Sequence, residues 1–121
     1  MIIIKTIVRA TDTTGARLCE CIKILRSKYY NGKLTDYIII AVKTALTNRK
    51  IKRHEVYKGI VVRIKKKTMR FHGGKITFED NGIVLFNKRN EIFASRVLGP
   101  VCTELRKEKI VKILTMSGVI I

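Results

Sequence analysis

Two knots of cations stand out in the sequence. One is Arg49-Lys50-Ile51-Lys52-Arg53; the other gathers Arg63, Lys65, Lys66, Lys67 and Arg70. Their chemistry is that of phosphate binding: lysine offers a compact point charge, arginine a planar fork that grips two oxygens at once. The other reactive side chains form no catalytic pattern. His54 and His72 could each be a ligand or a general base, but each lies in a basic stretch without a partner motif. Cys19-x-Cys21 puts two sulfurs on one side of an extended chain. A zinc site needs about four ligands, and no second Cys/His pair exists, so both cysteines read as small core residues. The nine acids are Asp12, Glu20, Asp36, Glu55, Glu79, Asp80, Glu91, Glu104 and Glu108. Glycoside hydrolysis needs two carboxylates in one cleft, whereas Glu79-Asp80 sit side by side next to a turn. No Walker loop, GxGxxG or GxSxG occurs, and Gly73-Gly74 is too short to cradle a nucleotide. No catalytic residue, cofactor or metal is expected.

The elements that must carry the cations read as strands. Residues 37–46 are rich in β-branched side chains and too short for a convincing helix. Residues 58–65 alternate, with Ile60, Val62 and Ile64 on one face and Val61, Arg63 and Lys65 on the other. Residues 18–25, 83–86 and 75–78 supply three more candidates. Asn31-Gly32, Gly73-Gly74 and Asn81-Gly82 bring turn chemistry between them. Several short, closely spaced strands suggest a barrel or sandwich, and closure hides strand edges. Residues 103–109 differ: they are good helix formers after Thr103, which could cap a short helix following the Gly99-Pro100 break. The two cationic knots lie at the ends of expected strands around 51–56 and 61–67. If these pair as an antiparallel ribbon, both knots share one projecting surface. Five aromatics could stack on bases: Tyr29, Tyr30, Tyr57, Phe71 and Phe78. No paired-aromatic sheet pattern is present, so the expected mode is recognition of folded RNA by shape and backbone.

Composition narrows the partner. Lys and Arg number 26 against nine Asp and Glu, a formal net charge of +17. Such a surplus repels itself unless a polyanion relieves it, and neutralising phosphates also releases condensed counterions. A membrane surface would require a basic amphipathic helix or a lipid motif, and neither is found. The longest apolar run, 37–42, falls far short of the roughly 20 residues a membrane helix needs. The start Met1-Ile-Ile-Ile-Lys5 is too short for a secretory signal and has no Arg/Ser-rich presequence, so the expectation is use at the site of synthesis, or a presequence missing from this chain. Three cysteines, two of them nearly adjacent, point to a reducing compartment. A chain of 121 residues with 46% apolar positions suits one domain over 1–121, and an intrinsically disordered chain would lack that apolar content.

Gly59-Ile-Val-Val62, nine residues, His72-Gly73, four residues, then Phe78-x-x-Asn81-x-x-Val84-Leu85 resembles the diagnostic pattern of the universal large-subunit ribosomal protein family number fourteen, in its bacterial and organellar type. Thr11-Asp12-Thr13-Thr14-Gly15-Ala16-Arg17 is similar to that family's Asp-Asn-Ser-Gly-Ala-basic segment. Arg96-Val-Leu-Gly-Pro-Val101 with Glu104-Leu105-Arg106, and Lys112-Ile-Leu-Thr115, resemble its C-terminal segments. The likeness spans essentially the whole chain. His72, Thr13, Thr103 and Ser117-Gly118-Val119 depart from the usual residues. The resemblance implies a mainly β fold, a five-stranded β-barrel with a projecting β-ribbon and one or two short C-terminal helices. It implies a structural, non-enzymatic place on the intersubunit face of the large ribosomal subunit. The implied partners are large-subunit rRNA, the neighbouring ribosomal proteins numbers three and nineteen, and small-subunit rRNA across a bridge. A ribosome-silencing factor would meet a face including Ser95, Arg96 and Lys112.

The expected rRNA-binding set is therefore the two knots, Arg49, Lys50, Lys52, Arg53, Arg63, Lys65, Lys66, Lys67 and Arg70, extended by Arg17, Lys23 and Arg106. The alternatives are an adaptor on the ribosome without major direct rRNA contact, and an RNA-modifying or RNA-cleaving enzyme using His54 and His72. Nineteen Ile, and sixteen Lys against ten Arg, show the drift of an AT-rich genome. That drift points to a mitochondrial ribosome, with a chloroplast or a bacterial cytoplasmic ribosome as alternatives.

Overall fold

The computed structural model describes residues 2–25, 31–106 and 110–121. Tyr29, Tyr30 and Glu108 lie outside them, as does the end of the helix expected over 103–109. In chain order the strands are β1 (Ile7–Ala10), β2 (Ala16–Ile24), β3 (Tyr37–Ala45), β4 (Val56–Arg63), β5 (Thr68–Met69), β6 (Lys75–Ile76), β7 (Gly82–Phe86), β8 (Val97–Val101) and β9 (Ser117–Ile120). A closed barrel runs β1-β2-β3-β4-β7, and β7 returns to β1 in parallel through Arg9↔Gly82 and Ala10↔Ile83. The other barrel pairs are antiparallel. The expected five-stranded barrel is thus present.

Barrel diameter grows with strand number, so five strands leave a narrow interior. Small and β-branched side chains fill it. Val8, Cys19 and Val42 are register partners across β1, β2 and β3, as are Cys21 and Ile40. On the same inner face the register aligns Ile38 with Gly59 and Leu85, and Val61 with Ile83. A side chain at Gly59 would press within 3.2 Å of the Val84 carbonyl oxygen. Cys19 and Cys21 are fully buried, as their spacing suggested, and burial pushes the Cys19 thiol up to about 12.

The register decides which of the two alternating faces of β4 points inward. Val61, not Ile60, points into the barrel. Ile60 and Val62 face outward, yet both are as fully buried as Val61. An alternating strand with one wet face would not do this; a second apolar layer must lie on the outside. That layer is C-terminal. β8 lies beside β4, and Val97, Val101, Cys102, Leu105, Ile113 and Leu114 join one continuous buried cluster with the barrel residues.

The C-terminal layer carries one short α-helix, as the resemblance implied, but later in the chain than the position expected from 103–109. Residues Thr103–Arg106 form a 3-10 turn, and the α-helix comes later, as α1 (Val111–Met116). No side chain caps α1 at Ile110, so its stability comes from burying Ile113 and Leu114. β8 and β9 pair in parallel on either side of it. Asp12 locks this layer to the barrel mouth. Its Oδ1 accepts from the Thr14 hydroxyl at 2.6 Å, its Oδ2 accepts from the Leu85 N–H at 2.9 Å, and its backbone bridges Val97.

The projecting ribbon is β5 paired with β6, closed by residues 70–74 with Gly73 at φ +92°. The strand expected over 75–78 is only two residues long. Asn81-Gly82 is not a hairpin turn: Gly82 opens β7, where a Cβ would sit 2.7 Å from both the Arg63 Nε and a Thr11 methyl carbon.

Candidate nucleic-acid interface

The strand order sorts the cations by barrel end. Residues 46–55 join β3 to β4 at one end. Ile51 is fully buried there, which turns its neighbours Arg49, Lys50, Lys52 and Arg53 outward; all four are exposed. Gly15, at φ +101°, lets the chain pass under the Arg49 stem, since a Cβ would lie 2.3 Å from the Arg49 Cβ. The next strand begins beside it through Ala16↔Ala45, so exposed Arg17 joins the same end. Lys50 Nζ lies 6.0 Å from the Phe93 ring centroid, and Phe93 edges onto Tyr57, which bonds Glu55. Burial and then Glu55 push the Tyr57 phenol up to about 12.

Lys88 and Arg89 also belong to this end, because β7 finishes there. Asn87 Oδ1 accepts from the N–H groups of Arg89 and Glu91 at 2.9 and 3.0 Å, which holds both cations on an exposed turn. Sequence reasoning passed over them. Their signal was Asn87-Lys88-Arg89-Asn90, a turn-forming basic segment directly after a hydrophobic strand.

Lys65, Lys66 and Lys67 are at the opposite end, where β4 leaves the barrel for the ribbon. All three are exposed, as are Lys75 on β6 and Lys23 near the end of β2. The eight residues of β4 separate the two ends by about 26 Å. The expected pairing of 51–56 with 61–67 in one ribbon is therefore corrected. Strand β4 pairs with β3 and β7, and the two knots do not share a surface. Sequence adjacency misled because one strand carries a chain from one end of a barrel to the other.

Two arginines of the second knot are drawn inward. The Arg63 side chain is 12% exposed, with Nε 3.2 Å from Asp80 Oδ1, an ion pair without hydrogen-bond alignment. Burial lowers its guanidinium from the ordinary value, Asp80 opposes that, and neighbouring Arg9 adds to it. Gly82 and Gly99 make the room it occupies. Glu79 and Asp80 thus divide, one exposed and the other holding Arg63. Arg70 is 18% exposed, with Nε 2.9 Å from Glu104 Oε1 and a terminal nitrogen donating to the Ile121 backbone oxygen. It ties the ribbon to the C-terminal layer, beside exposed Arg106 on the 3-10 turn.

Ser95 and Arg96 are exposed just before β8, and Lys112 is exposed on α1. Val97↔Ser117 brings the start of β8 to the end of α1, so Lys112 lies about one helical turn from that junction. His54, at φ +69°, is on the β3–β4 turn and His72 on the ribbon turn, at opposite ends of the barrel. They cannot act as a pair.

The family model described as Ribosomal protein L14p/L23e matches residues 1–121, the whole chain.

Proposed function

The chain belongs to the ribosomal protein L14p/L23e family, and from that premise we propose that it is a structural constituent of the large ribosomal subunit that binds large-subunit rRNA. The observation that carries this reading is the grouping of exposed cations at the two ends of a rigid barrel. Arg17, Arg49, Lys50, Lys52, Arg53, Lys88 and Arg89 stand at one end; Lys23, Lys65, Lys66, Lys67 and Arg106 serve the other. Ends about 26 Å apart suit two separate RNA segments better than one phosphate track. Arg63 and Arg70 act mainly by shaping the ribbon and its base. No reaction is catalysed.

The intersubunit surface, contacts with ribosomal proteins numbers three and nineteen, the bridge to small-subunit rRNA, and a silencing-factor face at Ser95, Arg96 and Lys112 are proposed from the resemblance. A mitochondrial ribosome is proposed from the Ile and Lys excess. An adaptor role draws support from one observation: Ile3, Ile4, Ile7, Leu18 and Ile22 are exposed on the outer side of the β1–β2 region, as suits a protein neighbour.

Filter binding to the chain's large-subunit rRNA tests the main reading. If six to ten phosphates are met, affinity should fall roughly 10³–10⁵-fold between 50 and 200 mM salt. A flat salt response would refute phosphate clamping, and protection mapping without an rRNA footprint would favour the adaptor.

A further inference from the structure

A cavity of about 830 Å³ opens where the β1–β7 seam of the barrel meets β8. That volume lies in the range of small-ligand sites, ~300–1,000 Å³. Its walls come from three segments: 9–11 at the end of β1, 77–80 before β7, and 98–100 in β8. Backbone bonds fix their placement. The Arg9 N–H donates to the Asn81 carbonyl at 2.8 Å, the Leu98 N–H donates to the Thr11 carbonyl at 2.6 Å, and the Phe78 N–H donates to the Ile64 carbonyl at 3.1 Å. Phe78 and Pro100 are half-buried and Leu98 is 58% exposed, so part of the wall is apolar surface left in water.

Four charged side chains line the cavity, two of each sign. Arg63 and Asp80 are paired with each other. Arg9 and Glu79 are exposed, and among the described residues neither enters an ion pair. Arg9 instead lies close enough to Arg63 to oppose its charge. An arginine without an acceptor and a carboxylate without a donor thus share one cavity without meeting. Because its charges balance, a bare phosphate gains less here than at the barrel ends, where cations are in surplus. A flat neutral ring with one acceptor edge and one donor edge gains most. Guanine is such a ring: its O6 and N7 accept from an arginine fork, and its N1–H and N2–H groups donate to a carboxylate.

We propose that this cavity binds an unpaired guanine of rRNA, with Arg9 on its O6/N7 edge, Glu79 on its N1/N2 edge, and the ring among Phe78, Leu98 and Pro100. This rests on the rRNA-binding reading and adds a base-specific contact to phosphate binding, of the kind proteins make with unpaired RNA segments. The Lys65 N–H donates to Asn81 Oδ1 at 2.9 Å and the Thr77 hydroxyl donates to the Lys65 carbonyl at 2.7 Å. Exposed Lys65 therefore stands beside the cavity, where it meets a phosphate of the same strand.

The probes are hairpin RNAs that differ only in one bulged nucleotide, and the large-subunit rRNA transcript. In filter binding, the bulged-guanine hairpin should bind roughly tenfold more tightly than those with bulged adenine, cytosine or uracil. Inosine, which lacks the N2 amino group, and 7-deazaguanine, which lacks N7, should each bind less tightly than guanine. These comparisons use the unaltered chain, so they hold even where a variant fails to fold. Glu79→Ala should remove the guanine preference without weakening binding to the other three hairpins, because it raises the net positive charge. Arg9→Met should also remove the preference, yet leave the salt slope on the transcript unchanged, since its bond is to a base and not to a phosphate. Kethoxal, which modifies N1 and N2 of unpaired guanines, should find a guanine of the transcript protected by wild type and open with Glu79→Ala. Equal affinity for all four bulges, with salt-dependent binding of the transcript intact, overturns the guanine site and leaves phosphate binding standing. A preference for another base, or a guanine preference kept by both folded variants, likewise overturns it. Salt-insensitive or absent binding of the transcript by wild type defeats the rRNA reading itself.

Discussion

Asp12 is a carboxylate placed out of water in a chain otherwise dominated by cations. Burial raises its pKa above 3.8, and the hydrogen bonds from Thr14 and Leu85 only partly offset that. A carboxyl group with a raised folded-state pKa binds protons more tightly in the native than in the unfolded state. Its contribution therefore falls as pH rises from about 3.8 through the folded-state value, and recovers as pH falls. Asp12→Asn removes that titration but replaces one acceptor oxygen with an N–H donor, so one of the Leu85 and Thr14 backbone N–H groups loses its acceptor. The variant should lose about 1–3 kcal/mol at neutral pH, since a buried donor is left unmet. Urea midpoints at pH 4 and pH 7 check both points: the deficit relative to wild type should be larger at pH 4. A deficit that shrinks at low pH would contradict the assignment.

At the scale of elements, the ribbon is of interest because so little of it pairs. Two residues on each strand cannot hold a hairpin alone. The Arg70–Glu104 ion pair and the Arg70 contact with Ile121 supply the brace, coupling the ribbon to the 3-10 turn and β9. Arg70→Ala should raise amide hydrogen exchange in β5, β6 and the 70–74 turn, while the amides of β3 and β4 keep their protection. Equal loosening of ribbon and barrel would mean that Arg70 supports the whole core. Glu104→Gln, which keeps the shape and removes the charge, should give a smaller change in the same segment.

For the whole molecule, the separation of the two cationic ends has an energetic consequence. Sites more than about 10 Å apart that share no partner contribute independently. Lys52→Ala with Arg53→Ala, and Lys66→Ala with Lys67→Ala, should each lower the salt slope for rRNA by about two. Combining all four should add the two losses within about 0.5 kcal/mol. Filter-binding series over a range of salt measure this. A combined loss far from the sum would show that the two ends act as one clamp.

The spacing of Gly59, His72-Gly73, Phe78, Asn81 and Val84-Leu85 was enough, in sequence alone, to indicate the family and the barrel. Residues 37–46 announced β3 because β-branched alternation is a local property. Three matters were not local. The facing of β4 depended on its partners' register, so Val61 turned inward while Ile60 and Val62 were buried from outside by a layer more than thirty residues later in the chain. Helix α1 depended on packing of Ile113 and Leu114, because its residues carry no cap and three of the six are β-branched. The grouping of cations depended on closure of the barrel: one strand parted Arg53 from Lys65, while turns distant in sequence brought Arg17, Arg49 and Lys88 to one end. Composition fixes how much charge a chain carries, but only tertiary structure decides which charges stay in water, and Arg63 and Arg70 were withdrawn by Asp80 and Glu104, partners that lie 17 and 34 residues away along the chain.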